Sequence, residues 1–392
     1  MSRAEQSVHS RVALVLQGGG ALGAYQAGVF QALDESGSMP DWVTGTSIGA
    51  INAAIIAGNP PEVRLDRLRT FWDRVSHVMP YHGLPIPAPF HDASMRAAGS
   101  MLSSLRAMVF GQSGFFHPRV WPAIGTDAAS LYDTAPLRET LSDLIDFRLL
   151  NANPIRFTAG AVSVTRGEMV YFDTHDTEIR MDHVLASGAL PPGFPPVRID
   201  GDFYWDGGIT SNTPIEVILD PVPRESTLCF MVNLWNQDGQ APTTIPDALT
   251  REKEIRYASR FRHEIESFQH RHELRRAVLA LYNALPESQR RLPELRRLGE
   301  LGCATRMDIV RLADAGNTGE PGSKDVDFES YSLRERWERG YRDAQRMLER
   351  APWREDVAEN TGVVLHDVPS DDETATGETT STRGGTVGEA AG

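Results

Sequence analysis

A serine flanked by glycines stands at Gly45-Thr46-Ser47-Ile48-Gly49, behind a short strand-like segment, Asp41 to Thr44, and ahead of the small, apolar run Ala50 to Ala57. A serine on a tight strand-to-helix turn holds its Oγ clear of the sheet, on a strained backbone that only small flanking residues permit. Gly45 and Gly49 are the residues such a nucleophile elbow needs. The helix N-terminus at the serine favours developing negative charge. Ser47 is therefore the candidate nucleophile of an acyl transfer.

A second glycine cluster, Gly18-Gly19-Gly20, also joins a strand-like run (Val12 to Leu16) to a helix-like one (Ala24 to Leu33). Consecutive glycines let backbone N–H groups converge on an anion, as an oxyanion hole requires. Gly18, Gly19 and Gly20 are the candidate donors. The spacing Gly18-x-Gly20-x-x-Gly23 also fits the dinucleotide-binding fingerprint. That reading needs an acid at the end of the next strand, and Asp41 is the residue to consider. The next strand runs instead into the Ser47 turn, which favours an oxyanion loop. A non-catalytic nucleotide-binding protein using Gly18 to Gly23 is kept as the alternative from a different class.

The candidate base is Asp206, which follows Phe203-Tyr204-Trp205 and precedes Gly207-Gly208. A carboxylate at a strand end can reach across to a neighbouring loop. Free aspartate, with a pKa of about 4, is a poor base, and burial beside Ser47 would raise it. A triad in the order serine, acid, histidine would draw on His263, His270, His272 or His366. The first three fall in a charged helical run, where they read as solvated, and His366 borders a polar tail. A histidine-free pair of Ser47 and Asp206 is preferred.

These residues need a scaffold, and the chain supplies an alternation of strands and helices. Further strands are expected at 155–164 and 168–172, joined by Thr165-Arg166-Gly167, and at 203–205 and 228–234, with a short helix at 182–187. The rhythm argues for an α/β fold, three-layer α/β/α with a mostly parallel central sheet. The α/β catalytic domain is assigned to 11–250. An insertion at about 80–122 opens proline-rich (80–89) and carries a short helix, 101–110. Its apolar residues, among them Met101, Leu102, Leu105, Phe115 and Phe116, read as an acyl groove or lid, or as core, which is preferred for most of them. Helices are expected at 251–285, 293–298, 306–313 and 333–348, so 251–350 reads as a C-terminal helical layer. Residues 1–10 read as a flexible N-terminus and 369–392 as a disordered acidic tail.

The bulk numbers agree with this plan. The 392 residues suit one large α/β domain plus extensions, and 41% hydrophobic with 23% charged is ordinary for a globular protein. A net charge of −14 argues against nucleic acid as a partner. Only Lys253 and Lys324 are lysines. Two cysteines, Cys229 and Cys303, make neither a disulfide framework nor a metal site, and Cys229 lies in an apolar run and reads as buried. No metal and no cofactor are called for. The N-terminus lacks the apolar segment of a signal peptide, and no apolar run reaches the roughly 18 residues that span a bilayer. The expected location is cytoplasmic, with peripheral membrane contact left open; the oligomeric state is not legible.

Taken in order, Gly18 to Gly23, Gly45 to Gly49, Ala186-Ser187-Gly188-Ala189-Leu190-Pro191-Pro192 and Asp206-Gly207-Gly208 resemble the patatin-like phospholipase family over about residues 11–217. The resemblance implies a three-layer α/β/α fold and a Ser47–Asp206 dyad that hydrolyses lipid acyl esters, with oxyanion donors from the glycine loop. The stretch departs at Leu22, where many relatives carry Arg or Lys, so no cation carries over to that place. The 251–350 region resembles an extension of some bacterial members. A thioesterase, a transacylase or a storage-polyester depolymerase would use the same residues.

Overall fold

The computed structural model describes residues 9–77, 93–119, 129–152, 154–219, 221, 223–239, 241–258, 261–316, 323–357 and 361–367. Most of the expected flexible N-terminus, the proline-rich start of the insertion and the expected disordered tail lie outside them. The strands are β1 (Arg11–Leu16), β2 (Trp42–Thr46), β3 (His117–Pro118), β4 (Tyr132–Asp133), β5 (Arg156–Ser163), β6 (Met169–Asp173), β7 (Val197–Ile199), β8 (Asp202–Asp206), β9 (Thr227–Asn233), β10 (Met307–Ala313) and β11 (Val363–Asp367). The helices are α1 (Ala24–Glu35), α2 (Ile48–Ala57), α3 (Arg64–Arg74), α4 (Ala93–Phe110), α5 (Ala135–Leu144), α6 (Phe147–Asn151), α7 (Met181–Ser187), α8 (Glu216–Leu219), α9 (Ile245–Ala258), α10 (Phe261–Ala284), α11 (Glu287–Arg290), α12 (Pro293–Leu301) and α13 (Ser330–Arg350).

One nine-stranded sheet organises the chain, in the order β11-β10-β9-β1-β2-β5-β8-β7, with β6 also paired to β5. The run from β11 to β5 is parallel. The strands β6 and β8 pair antiparallel with β5, and β7 pairs antiparallel with β8. Buried on both faces, the central strands read as continuous apolar runs rather than alternating ones. Their alternation appears in what each face touches. Leu14, Leu16, Phe230 and Val232 pack with α1, α2 and α13 residues. Ala13, Val15, Cys229 and Met231 pack with Ile215 and with Phe261, Ile265 and Phe268 of α10. Those two apolar layers make the three-layer α/β/α architecture expected from the sequence.

The region after residue 250 is woven into this core rather than stacked beside it. Residues 307–313, expected as a helix, form β10, which pairs in parallel with β9 from Met307 to Ala313. Their apolar spacing fits a helix, but the β-branched pair Ile309-Val310 is buried on opposite faces of the sheet, and burial on both faces selects a strand. His366, expected next to a disordered tail, sits in β11 at the edge. At that seam Asp308 is fully buried between His9, His366 and Arg306, whose nitrogens lie 2.6, 2.7 and 2.6 Å from its oxygens. α13 packs on α1 through glycines. A Cβ on Gly28 would lie 1.9 Å from the Trp337 carbonyl oxygen, and one on Gly340 would lie 2.1 Å from that of Tyr25.

Candidate active site

Ser47 is the N-cap of α2, with φ 57° and ψ −126°, in the left-handed region that costs an L-residue strain. Its glycine neighbours are required by contact. A Cβ on Gly45 would lie 2.3 Å from the backbone of Gly49, and a Cβ on Gly49 would lie 2.2 Å from the Leu16 carbonyl oxygen. The Ser47 N–H is held from behind by Ser187, donating to its carbonyl at 3.1 Å and its Oγ at 3.0 Å. The Ser187 hydroxyl donates in turn to the Gly160 carbonyl at 2.7 Å. Nothing in the spacing of Ser187 marks this task; the sequence motif placed it near the site without a role.

Strand register brings Asp206 to the same point. Thr46, the last residue of β2, pairs with Gly160 of β5. Asp206, the last residue of β8, pairs with Ala161. Because β6 covers Thr158 to Val162 from the other edge, β2 and β8 share one edge of β5 and meet end to end. Asp206 is 2% exposed. Burial pushes its carboxyl up to about 7, opposed by hydrogen bonds from the Ser47 hydroxyl and the Gly208 N–H, the latter 2.7 Å long. A carboxylate tuned to this range is a competent base at neutral pH.

The glycine loop faces the same cleft, but its three amides differ. Gly18 donates its N–H to the Asn212 carbonyl at 3.1 Å, and its own carbonyl accepts from Asn212 Nδ2 at 3.1 Å and Trp235 Nε1 at 2.8 Å. Gly18 is thus an anchor, which corrects its place among the oxyanion donors. The N–H groups of Gly19 and Gly20 donate to no acceptor among the described residues. Gly20 has φ 55° and passes 2.2 Å (as an added Cβ) from the Asp325 carbonyl oxygen, so only glycine fits. Gln17 ties the loop's root down, accepting from the N–H groups of Leu234 and Trp235 at 2.5 and 3.1 Å.

The cleft that holds Ser47, Asp206 and the glycine loop is walled by Ile51, Leu190, Phe194, Phe115, Phe116 and Phe328. Phe115 and Phe116 of the insertion wall this cleft and are also buried in the core, as preferred for most of the insertion's apolar residues. Met101, Leu102 and Leu105, by contrast, are more than half exposed on α4, so the preference for core does not hold for them. The region after residue 250 completes the rim with Tyr257, Asp325 and Val326. Lys253 holds Asp325 there at 2.6 Å, and both lysines sit near the Trp235 ring.

Among the described residues no histidine lines the cleft. His263 and His270 are exposed on α10. His272 is buried, not solvated as expected, and contacts Thr305; His366 binds Asp308. Asp41 accepts from the Val12 N–H at 2.9 Å, at the end of the sheet opposite the glycine loop, which removes it as a ribose ligand. Leu22 is buried in the core and does not line the cleft. Among the described residues no helix is long and apolar enough to cross a membrane.

The family model described as Patatin-like phospholipase matches residues 14–219, and one described as Patatin phospholipase matches residues 255–360. The "Lysophospholipase NTE1" of Yarrowia lipolytica is 25% identical over 240 residues, 61% of this chain and 14% of that protein. The "Patatin-like phospholipase domain-containing protein ZK370.4" of Caenorhabditis elegans is 25% identical over 209 residues, 53% of this chain and 12% of that protein. The chain thus matches about one-seventh or less of the length of these relatives. The solved structure of VipD from Legionella pneumophila superposes with a TM-score of 0.35 at 16% identity, covering 86% of this chain and 67% of that one.

Proposed function

This chain belongs to the patatin-like phospholipase family, and from that premise we propose that it hydrolyses lipid acyl esters with Ser47 as nucleophile and Asp206 as base. Asp206 accepts the Ser47 proton as Ser47 Oγ attacks the ester carbonyl. The developing oxyanion takes hydrogen bonds from the amides of Gly19 and Gly20, each worth roughly 3–4 kcal/mol in comparable sites. The lipid alcohol leaves with the proton from Asp206, forming an acyl-enzyme. Water then attacks the acyl carbon, with Asp206 again the base, and Ser47 is regenerated.

The observation that carries this reading is the buried Asp206 hydrogen-bonded to a serine at positive φ, in a cleft walled by phenylalanines. That wall suits an acyl chain, and a charged or sugar-rich substrate would strip water from polar groups without partners there. A panel of phospholipids, lysophospholipids, acyl thioesters and short polyesters tests it. Fastest turnover of the lipid oxygen esters is expected. Preferential turnover of thioesters or polyester would replace the substrate class while keeping the residues.

A further inference from the structure

Helix α4 is built inside out. Over residues 99–110 its inward positions are small: Ser103, Ser104 and Ala107 are buried, Ser103 against His77 Nε2 at 3.2 Å and Ser104 donating to the Ser323 carbonyl at 3.0 Å. Its outward positions carry Met101, Leu102, Leu105, Met108, Val109 and Phe110, between 45% and 73% exposed. The first five follow i, i+1, i+4, i+7, i+8, a single helical stripe. A contiguous apolar stripe turned to water marks a binding surface or an aggregation hazard.

We propose that this stripe seats the protein on an anionic lipid bilayer, setting the Ser47 cleft against the surface from which its substrate is drawn; the second clause rests on the lipid-ester reading above. Two features select this occupant. One is position. The chain leaves α4 and within a few residues reaches Phe115 and Phe116 of the cleft wall. Tyr132, whose hydroxyl donates to the Met108 carbonyl at 2.8 Å, has its ring 4.8 Å from that of Phe116. On the other flank Ser323, held by Ser104, leads into Asp325 and Val326 of the cleft rim.

The other is charge. Over the stripe, residues 99–110, the exposed Arg106 is the one charged residue and no acid is present, within a chain of net charge −14. An in-plane helix with an apolar face and basic residues beside it binds anionic membranes by burying the face and attracting the headgroups.

The test uses the full chain carrying Ser47→Ala, so that binding is read without turnover, on phosphatidylcholine vesicles with and without phosphatidylserine. Co-sedimentation is expected with the anionic vesicles. The triple variant Leu102→Ser, Leu105→Ser, Val109→Ser in this background is expected to bind at least about tenfold more weakly, and Arg106→Ala about fivefold more weakly. The triple variant with Ser47 intact is expected to keep wild-type melting and wild-type turnover of a soluble short-chain aryl ester. Equal vesicle binding by the triple variant, no binding by the parent, or a dimer that the triple variant converts to monomer would each overturn the proposal. Loss of aryl-ester turnover in the wild type would instead strike the hydrolase reading, leaving the vesicle result to stand by itself.

Discussion

Asp206 lies one register position beyond Thr46 along the same edge of β5, for Thr46 pairs with Gly160 and Asp206 with Ala161. The parallel strand β2 and the antiparallel strand β8 therefore end facing each other. Ser47, the next residue after Thr46, has to turn away from the sheet at that junction, and the positive φ is the geometry of the turn.

The grip of Ser187 on the Ser47 amide makes the first prediction. Ser187→Ala removes an acceptor for Ser47 N–H and leaves the buried Gly160 carbonyl without its 2.7 Å donor. A loss of about 1–3 kcal/mol of stability is expected, together with a fall in kcat that exceeds any rise in KM. Thermal melting and steady-state kinetics on an aryl ester check both. An unchanged kcat would show that the elbow stands without Ser187.

Acidity gives the second. Asp206 acts as base only when ionised, and burial holds its carboxyl at about 7. Catalysis should rise with pH through that value and level off above it. Stability runs the opposite way. The folded carboxyl binds its proton more tightly than the unfolded one, whose pKa is near 4, so stability falls as pH rises from about 4 to 7 and the full cost of the buried charge is present above that. Asp206→Asn is expected to abolish turnover yet raise the melting temperature at pH 8, with a gain of roughly 2–4 kcal/mol as an upper bound. A variant less stable than wild type at pH 8 would contradict the burial argument.

Gly20 gives the third. An alanine there meets the Asp325 carbonyl and an unfavourable φ at once. Displacing the loop moves the Gly19 and Gly20 amides, so Gly20→Ala is expected to cost about 10²-fold or more in kcat. Single-turnover acylation rates are the direct readout. Retention of more than half the wild-type rate would remove these amides from the mechanism.

The fourth concerns the sheet edge. Asp308 is held well below the usual carboxylate range by hydrogen bonds from His366, His9 and Arg306, which outweigh its desolvation. A depressed carboxyl contributes stability that is present above the unfolded pKa, near 4, and lost as pH falls toward the folded value. Asp308→Ala leaves Arg306 with its charge unpaired and is expected to cost about 3–5 kcal/mol. Denaturant melts at pH 7 and pH 4 check this: the gap between wild type and variant should shrink at the lower pH.

Much of the site is legible in the chain because close approach demands glycine. Gly45, Gly49 and Gly20 each meet backbone within 2.3 Å of where a Cβ would sit, so their identity announces the geometry. Asp206 is legible because a strand and two glycines frame it. What is hidden depends on partners distant in sequence. The amide of Gly18 looks like its neighbours' until Asn212 is seen to occupy it. Ser187 sits in a run of small residues where no periodicity singles it out. The strand β10 reads as a helix in sequence because Ile309, Val310 and Ala313 fall at i, i+1 and i+4, and only pairing with β9 and β11 decides. His272 reads as solvated in sequence because its neighbours are charged; Phe261, Ile265, Phe268 and His272 form the buried stripe of α10, whose other faces carry those charges.

The central claim is that Ser47 is the nucleophile, and covalent labelling tests it most directly. Wild type and Ser47→Ala are treated with a fluorophosphonate, and the adduct is located by peptide mass spectrometry. One adduct on Ser47 in wild type and none in the variant is the predicted result. Labelling of equal extent in the two proteins, or an adduct on any other serine, would contradict it.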